Sequence, residues 1–185
     1  MTDHSALVAL LAERSATRGQ FVLSSGKQST FYIDARLTTM SPEGLSIIGP
    51  FALSVLEQTG WGIEAVGGLT LGADPISYAI SFASAGSDHP LRAFTVRKDV
   101  KTHGTGKQVE GPLKPGDRVA VIEDVITTGR SALRAIDAIQ KAGGVVIGVL
   151  ALIDREEGGR QELEKAGFPV VALVKASQII SILQV

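Results

Sequence analysis

The stretch that decides the fold is VIEDVITTGRSA, residues 121–132. It begins with apolar, strand-like residues and passes through two acids, Glu123 and Asp124, into a run of hydroxylated residues and a glycine. A helix is predicted to follow, from Gly129 to Ala142. A turn of small and hydroxylated residues at a helix start offers free backbone N–H groups and the positive end of the helix dipole. Such a turn favours the binding of a phosphate group.

The two carboxylates require a different partner, because they would repel a phosphate. Sugar hydroxyls or a magnesium ion are suitable partners for carboxylates. A phosphorylated ribose satisfies both parts of the stretch: its 5′-phosphate fits the turn, and its 2′ and 3′ hydroxyls can donate to the acids. Thr127, Thr128 and Ser131 add hydroxyl donors. The alternative is a strand end capped by acids and followed by an ordinary N-cap, and the combination of features favours the sugar-phosphate site.

The rest of the chain alternates between strand and helix patterns. We predict strands over 63–69, 91–97, 118–124, 145–154 and 169–174, helices over 5–16, 42–60, 73–86, 129–142 and 159–166, and a long loop over 98–117. Residues 21–36 are expected to form two short strands around a Ser-Gly-Lys turn. Gly49-Pro50 is expected to kink or interrupt the second helix.

Several of these strands are apolar on both faces, as in parallel sheets that helices cover on both sides. The predicted fold class is therefore α/β, with a mostly parallel central sheet flanked by helices. In such a fold the ligand site lies beyond the carboxyl ends of the strands. The unusual segments GGLTLGAD, RKDVKTHGTGK, EDVITTGRS and DREEGG all occupy such ends.

Composition narrows the class of protein. The chain has 185 residues, of which 44% are hydrophobic and 20% charged, which suits one globular domain. A net charge of −1 does not favour nucleic acid as a partner. The absence of cysteine excludes disulfides and thiolate metal sites. No apolar run approaches ~18 residues and the N-terminus lacks a basic region, so neither a membrane span nor a signal peptide is expected. We therefore expect a cytoplasmic protein.

Two segments resemble a known family. VIEDVITTGRSA resembles the phosphoribosyl-diphosphate signature of type I phosphoribosyltransferases. RKDVKTHGTGK, residues 97–107, resembles the mobile catalytic loop of the orotate phosphoribosyltransferases, with a spacing that purine-specific relatives lack. Its glycines indicate a loop that moves, and its cations match a diphosphate leaving group. The resemblance covers nearly the whole chain and implies one domain, in which residues 1–40 contribute a hood over the base and residues 98–112 form the mobile loop.

The resemblance also implies a reaction. The phosphoribosyl group would pass from phosphoribosyl diphosphate to orotate, giving orotidine 5′-phosphate and diphosphate in pyrimidine (UMP) biosynthesis. Mg²⁺ is the implied cofactor, bound through the substrate's diphosphate and ribose hydroxyls, with Asp124 contributing through a water molecule. In this family the loop reaches into the neighbouring subunit, which implies a homodimer with shared active sites. No nucleic acid and no membrane is expected as a partner.

Site residues can be carried over by motif. Lys101 and Asp124 are the implied catalytic residues, with Lys101 stabilising the leaving oxygen. Residues implied to bind phosphoribosyl diphosphate are Lys27, Leu71, Gly72, Arg97, Lys98, Lys101, His103, Glu123, Asp124, Val125, Ile126, Thr127, Thr128, Gly129, Arg130 and Ser131. Residues implied to bind orotate are Phe31, Tyr32, Thr127 and Arg155. Glu123 replaces the more usual aspartate of the family, and the diphosphate loop, GGLTLGADP, lacks the lysine that many members carry.

Alternatives remain open at this point. Arg155 could form a surface ion pair with Glu156 or Glu157, and the two aromatic residues could belong to the core. The chain could be a phosphoribosyltransferase for a purine or for uracil, which turnover with each base would distinguish. It could instead be a regulator that binds phosphoribosyl diphosphate, although no basic helix-turn-helix segment is visible, or a nucleotide-binding scaffold without catalysis.

Overall fold

The computed structural model describes residues 3–22, 28–99 and 107–183. The strands are β1 (Ala16–Val22), β2 (Gln28–Ile33), β3 (Ala65–Leu69), β4 (Arg92–Val96), β5 (Val109–Glu110), β6 (Arg118–Ile126), β7 (Val145–Asp154) and β8 (Val170–Lys175). The helices are α1 (Asp3–Arg14), α2 (Arg36–Thr39), α3 (Pro42–Gln58), α4 (Ala73–Ala83), α5 (Arg130–Lys141), α6 (Gly159–Lys165) and α7 (Ala176–Leu183), with a 3-10 turn at Ser84–Gly86.

The central sheet has six strands in the order β5-β4-β3-β6-β7-β8. All neighbouring pairs are parallel except β4 and β5. Leu69 pairs with Val96 and Ile126 pairs with Asp154, so the strand ends are level along one edge of the sheet. The segments that follow β3, β4, β6 and β7 therefore meet at that edge, as the sequence predicted. β1 and β2 form a separate antiparallel pair.

Strand β6 shows why the sheet is buried on both faces. Ala120 and Ile122 belong to the core cluster under α1, α3, α4 and α7, whereas Val119 and Val121 belong to the cluster under α5 and α6. Successive side chains of a strand point to opposite faces, so a strand covered on both sides must be apolar at every position. The apolar run of β6 ends at Glu123 and Asp124, near the carboxyl-end edge of the sheet, and Ile126 beyond them is buried again under α5.

Local signals explain how α3 begins and why it continues. Ser41 is the N-cap, and its Oγ accepts from the Gly44 N–H at 3.0 Å, with Pro42 at the first helical position. The interruption expected at Gly49-Pro50 does not occur, because α3 runs through both residues. A proline removes one helical hydrogen bond. Close packing of Gly49 against the Ala79 backbone of α4, where a Cβ would not fit, accompanies the intact helix.

Three elements were missed by the sequence analysis. β5 lies inside the predicted loop and contains two residues, too few to show a period, yet it pairs with the end of β4. α2 has four residues. At the start of α7, Gln178 Oε1 accepts from the Lys175 N–H at 2.8 Å, and the carboxylate of Glu156, 21 residues before Ser177, accepts from the Ser177 N–H at 3.0 Å. Among the described residues, no helix is long and apolar enough to cross a membrane.

Candidate active site

A cleft of about 480 Å³ opens at the carboxyl ends of the strands. Its walls come from the segment after β2, the loop after β3, the residue after β4, the end of β6 and the segment after β7. The lining residues are Tyr32, Ile33, Asp34, Ala35, Arg36, Leu69, Thr70, Leu71, Gly72, Lys98, Glu123, Asp124, Val125, Thr127, Ser131, Arg155 and Glu157. The four segments that the sequence analysis singled out thus each contribute to one cleft.

The acid pair lies on the floor of this cleft. Glu123 is only 9% exposed, and its Oε2 has no hydrogen-bond partner among the described residues. Asp124 Oδ1 accepts from the Val125 N–H at 2.8 Å. Burial raises the pKa of Glu123 well above its usual value, and the neighbouring charge of Asp124 raises it further. Burial also raises the pKa of Asp124, although the Val125 N–H opposes that shift.

The electrostatic consequence is a shortage of positive partners for these acids. A buried carboxylate without donors is costly, and a cation or a hydroxyl-bearing ligand would relieve that cost. The described residues contain no cluster of three or more side chains able to hold a metal by themselves. The pair is therefore suited to a ligand that brings its own hydroxyl groups or a substrate-bound ion.

The loop after β3 packs directly against the acid pair. A Cβ at Gly72 would overlap the carboxylate of Asp124. The backbone of Gly72 is ordinary helical, at φ −65° and ψ −43°, so this position requires a glycine for space and not for conformation. The peptide bond between Thr70 and Leu71 is cis. Leu71 and Gly72 both line the cleft, and Gly72 lies against Asp124.

The turn after β6 is held by a second close approach. Gly129 has φ +76°, a left-handed conformation that favours glycine. A Cβ at Gly129 would lie 2.9 Å from the Gly159 carbonyl, and a Cβ at Gly159 would lie 2.7 Å from the Gly129 nitrogen. No side chain caps the start of α5. The first N–H groups of α5 are therefore free of a side-chain cap beside the cleft, which is the geometry of an anion site.

Arg155 forms the opposite wall. Its side chain is 4% exposed, and its Nη2 lies 2.8 Å from Glu157 Oε1. Its guanidinium carbon lies 4.6 Å from the ring centroid of Phe31, a cation–π contact. The ion pair left open as an alternative is thus present, but it is buried in the cleft wall and not on the surface. The side chain is held in one orientation on two sides.

The two aromatic residues of β2 separate. Tyr32 lines the cleft and is 42% exposed. Phe31 packs on Arg155 and lines an adjacent cavity of about 350 Å³ beside the start of α7. Neither belongs to the fully buried core.

The cations after β4 border the other end of the cleft. Lys98 lines both the cleft and an adjacent cavity of about 530 Å³, and its carbonyl accepts from Arg134 Nη2 at 2.8 Å. Arg97 lines that adjacent cavity, where its Nη1 lies 3.8 Å from Glu110 Oε1. Lys27, Lys101 and His103 lie outside the described residues.

The signature after β6 contributes unequally. Val125, Thr127 and Ser131 line the cleft. The side chain of Ile126 is buried in the core under α5, and its carbonyl accepts from the Arg155 N–H at 3.0 Å. Thr128, Gly129 and Arg130 complete the turn and the start of α5.

Three charged cleft residues were given no binding role in the sequence analysis: Asp34, Arg36 and Glu157. Arg36 donates to Asp34 through Nε at 2.8 Å and Nη2 at 2.9 Å. These hydrogen bonds lower the pKa of Asp34. The available signal was the acid and the arginine two residues apart in FYIDAR, directly after the β2 segment.

Comparison with known proteins gives the family. No protein-family model matches the chain. The orotate phosphoribosyltransferase of Aquifex aeolicus is 47% identical over 97% of this chain and 99% of its own length. The crystal structure of the Mycobacterium tuberculosis H37Rv orotate phosphoribosyltransferase with Fe(III) dicitrate has a TM-score of 0.83 and 37% identity, covering 96% and 99% of the two chains. The same enzyme in complex with 5-phospho-alpha-D-ribosyl 1-diphosphate has a TM-score of 0.80 at 35% identity, covering 96% and 99%. The predicted fold is confirmed, and the chain belongs to the orotate phosphoribosyltransferase family.

Proposed function

We infer that the protein is an orotate phosphoribosyltransferase, a pentosyltransferase that moves the phosphoribosyl group from phosphoribosyl diphosphate to orotate. The products are orotidine 5′-phosphate and diphosphate, and the reaction belongs to pyrimidine biosynthesis. The observation that carries this inference is one cleft in which a buried acid pair adjoins an uncapped helix start, with Glu123 Oε2 lacking a hydrogen-bond partner among the described residues. We propose that the enzyme works in the cytoplasm.

The end of β6 is proposed to hold the ribose phosphate. Glu123 and Asp124 would accept hydrogen bonds from the 3′ and 2′ hydroxyls, which supplies the donors that the buried Glu123 Oε2 lacks. The 5′-phosphate would lie at the start of α5, bound by N–H groups of residues 127–131 and by the hydroxyls of Thr127, Thr128 and Ser131. Val125, Ile126, Gly129 and Arg130 complete this segment, mainly through their backbone.

The opposite end of the cleft is proposed to hold the diphosphate. The amides of Leu71 and Gly72, which border the cleft, would face its oxygens. Lys98 lies close enough to line the same cleft, and Arg97 lies in the next cavity. We propose that Lys27, Lys101 and His103 join these cations when substrate is bound, with Lys101 stabilising the leaving oxygen as charge develops on it.

Orotate is proposed to bind between the ribose site and Arg155. The guanidinium is suited to a carboxylate because it offers a planar set of donors. It would pair with the orotate carboxylate while Phe31 and Glu157 keep it in place. Tyr32 would cover the base from the hairpin, and Thr127 would contact its edge. We propose that residues 1–40, which include this hairpin, act as the hood of a single domain.

The chemistry needs no protein nucleophile. Attack of the orotate nitrogen on the anomeric carbon, with departure of diphosphate on the opposite face, passes through an oxocarbenium-like state and inverts that carbon. Magnesium, when bound with the substrate, neutralises the diphosphate. The acid pair fits a Mg²⁺ ion that is held mainly by the substrate. Glu123 Oε2 has no hydrogen-bond partner among the described residues, and Asp124 would add an oxygen ligand or a contact through water. The chain's own task is to bind, orient and exclude water.

The loop over residues 98–112 is proposed to close on the substrate. Residues 107–112 of this loop are anchored, because β5 pairs with the end of β4 through Val109 and Val96. Arg97 N–H donates to the Gln108 carbonyl at 2.8 Å. Both ends of the loop are thus fixed next to the diphosphate side of the cleft, from which a hinged loop could reach a substrate.

We propose a homodimer in which each loop serves the neighbouring site. An apolar groove of about 690 Å³ between α3 and α4 supports the dimer. Four large apolar side chains that border it are exposed: Met40, Leu71, Tyr78 and Phe82, the last at 86%. Exposed apolar patches of this kind mark interaction surfaces. Leu71 borders both the groove and the cleft, so a partner seated here would lie beside the diphosphate site.

The test of the proposed function is loss of orotate absorbance with purified protein, phosphoribosyl diphosphate and magnesium. Omission of each component in turn should abolish the change. Adenine, hypoxanthine, guanine and uracil replace orotate in parallel reactions. Turnover of one of these bases in place of orotate would contradict the assignment, and binding of phosphoribosyl diphosphate without any turnover would favour a regulator or a scaffold.

A further inference from the structure

A hydrogen-bonded group of side chains lies directly behind the diphosphate side of the cleft. Asp74, in the first turn of α4, accepts from two hydroxyls: Thr70 Oγ1 at 2.6 Å on Oδ2 and Thr95 Oγ1 at 2.9 Å on Oδ1. The hydroxyl of Tyr78 lies 2.8 Å from Thr95 Oγ1. Because the single hydroxyl proton of Thr95 goes to Asp74, Tyr78 donates to Thr95. The four side chains thus form one hydrogen-bonded network. Tyr78 donates to Thr95, and Thr95 and Thr70 each donate to one oxygen of Asp74.

This group joins the two segments that border the diphosphate site. Thr70 belongs to the loop after β3 and precedes Leu71, and its N–H also donates to the Val96 carbonyl at 2.8 Å. Thr95 is near the end of β4, two residues before Arg97. Asp74 therefore adds a side-chain bridge to this backbone link between the loop after β3 and the end of β4.

We propose that Asp74 is a positioning residue for the diphosphate of the substrate. It fixes Thr70, and with it the Leu71 and Gly72 amides, against the end of β4. The loop lies between two carboxylates, because Gly72 packs on Asp124 from the cleft side and Thr70 bonds Asp74 from behind. The inference rests on the proposed function and adds a residue that does not line the cleft wall.

The sequence of the loop makes this placement more important here. The loop carries Leu71 and no lysine, so within residues 67–75 diphosphate can be bound only by backbone amides and hydroxyls. A lysine side chain can adjust its reach, whereas an amide is directed only by the position of its backbone. A small displacement of the loop would move its amides out of hydrogen-bonding distance of the diphosphate. It should therefore weaken diphosphate binding and leave orotate binding intact.

The test is Asp74→Asn, which keeps shape and replaces one acceptor by a donor. Calorimetry with magnesium diphosphate is expected to show about tenfold weaker binding, and KM for phosphoribosyl diphosphate should rise by about the same factor, since a hydrogen bond to a charged group is lost. KM for orotate should not change, and kcat should stay within about threefold. Asp137→Asn, on the exposed face of α5, is the matched control and should leave diphosphate affinity, both KM values and kcat unchanged.

Thr95→Val separates the network from a simple effect of an acid at a helix start. It keeps Asp74 and its charge but removes one donor, and about threefold weaker diphosphate binding is expected. Unchanged diphosphate affinity in both variants, or an equal rise in KM for orotate, would overturn the inference. Diphosphate calorimetry needs no turnover, so it tests Asp74 even if the wild-type protein failed to convert orotate, which would contradict the proposed function alone.

Discussion

The two ends of the cleft are built in different ways. The end proposed to hold the ribose phosphate comes from one continuous stretch, residues 123–131, at the end of a buried strand. The end proposed to hold the diphosphate comes from two loops about 25 residues apart in sequence, which Asp74 and the parallel pairing of β3 with β4 bring together. One end is a single motif, whereas the other joins two motifs that the sequence displays separately and that only the tertiary structure shows side by side. Each end should respond differently to substitution.

The largest effect is expected at the loop that completes the diphosphate end. Lys101→Ala should lower kcat by about a hundredfold or more, the scale for loss of one donor to a developing oxyanion. Affinity for phosphoribosyl diphosphate should change much less, as measured by calorimetry. Lys141→Ala, on the exposed face of α5, is the control. A kcat within about threefold of wild type would remove Lys101 from the transition state.

At the ribose end the effect should fall on binding. Asp124→Asn keeps the size of the side chain and removes the charge that favours a magnesium-bound ribose. We expect phosphoribosyl diphosphate to bind about tenfold to a hundredfold more weakly in the presence of magnesium, the range for a charged hydrogen bond. Calorimetry measures the affinity for phosphoribosyl diphosphate, with Asp137→Asn, an exposed residue, as the matched control. Unchanged affinity would show that Asp124 does not hold the sugar.

Mixing the two variants tests whether the two ends come from different subunits. If Lys101 serves the partner's site and Asp124 its own, a mixed dimer has one site with both defects and one site with neither. Random exchange makes about half of the dimers mixed, so about a quarter of wild-type activity should return when phosphoribosyl diphosphate is kept too dilute to load the Asp124→Asn sites. Native mass spectrometry must first show the mixed dimers. Mixed dimers without recovered activity would contradict loop sharing and leave the base and ribose roles intact.

The two ends meet at Gly72, and a single methyl group tests that contact. Gly72→Ala should push the Asp124 carboxylate from its place, because the new Cβ would overlap it while the helical backbone there accepts alanine. About tenfold weaker binding of phosphoribosyl diphosphate is expected, near the loss of one charged hydrogen bond. Gly86→Ala is the matched control, since nothing lies within 4 Å of its Cβ position. Equal affinities of the two variants would show that the two ends are independent.

What the sequence could predict follows the same division. The apolar strand with its acids and its glycine turn predicted the end of β6, because neighbours in sequence there are neighbours in the site. The predicted bounds of β7, residues 145–154, agree with the structure because a strand that is buried on both faces is apolar along its whole length. Thr70, Asp74 and Thr95 form no motif, since their hydrogen bonds join a loop, a helix and a strand. The Glu156 cap of α7 was invisible for the same reason.

The buried acid pair also predicts a stability that depends on pH. Burial raises the pKa of Glu123 above its usual value, so the folded protein binds a proton there that the unfolded chain has lost. The stabilisation linked to that proton is complete below the usual carboxyl pKa and is lost as pH rises through the raised pKa of the folded state. In the unliganded protein, Glu123 should therefore lower the free energy of unfolding at neutral and alkaline pH.

Glu123→Gln removes that titration and keeps the size of the side chain. The melting temperature of the variant should exceed that of the wild type at pH 8 by a few degrees, with the difference shrinking toward pH 5; about 1 kcal/mol corresponds to ~2–4 °C for a chain of this length. The variant should also bind phosphoribosyl diphosphate more weakly, because a gain in stability with a loss of binding is expected where a site stores an unpaired charge. Glu43→Gln is the control without a trend in this range, because a hydrogen bond from Arg14 lowers the pKa of Glu43 and its contribution is lost only below its usual carboxyl pKa. Scanning calorimetry from pH 5 to pH 8 compares the two variants, and a difference for Glu123→Gln that stays constant with pH would mean that Glu123 is already ionised and partnered in the free protein.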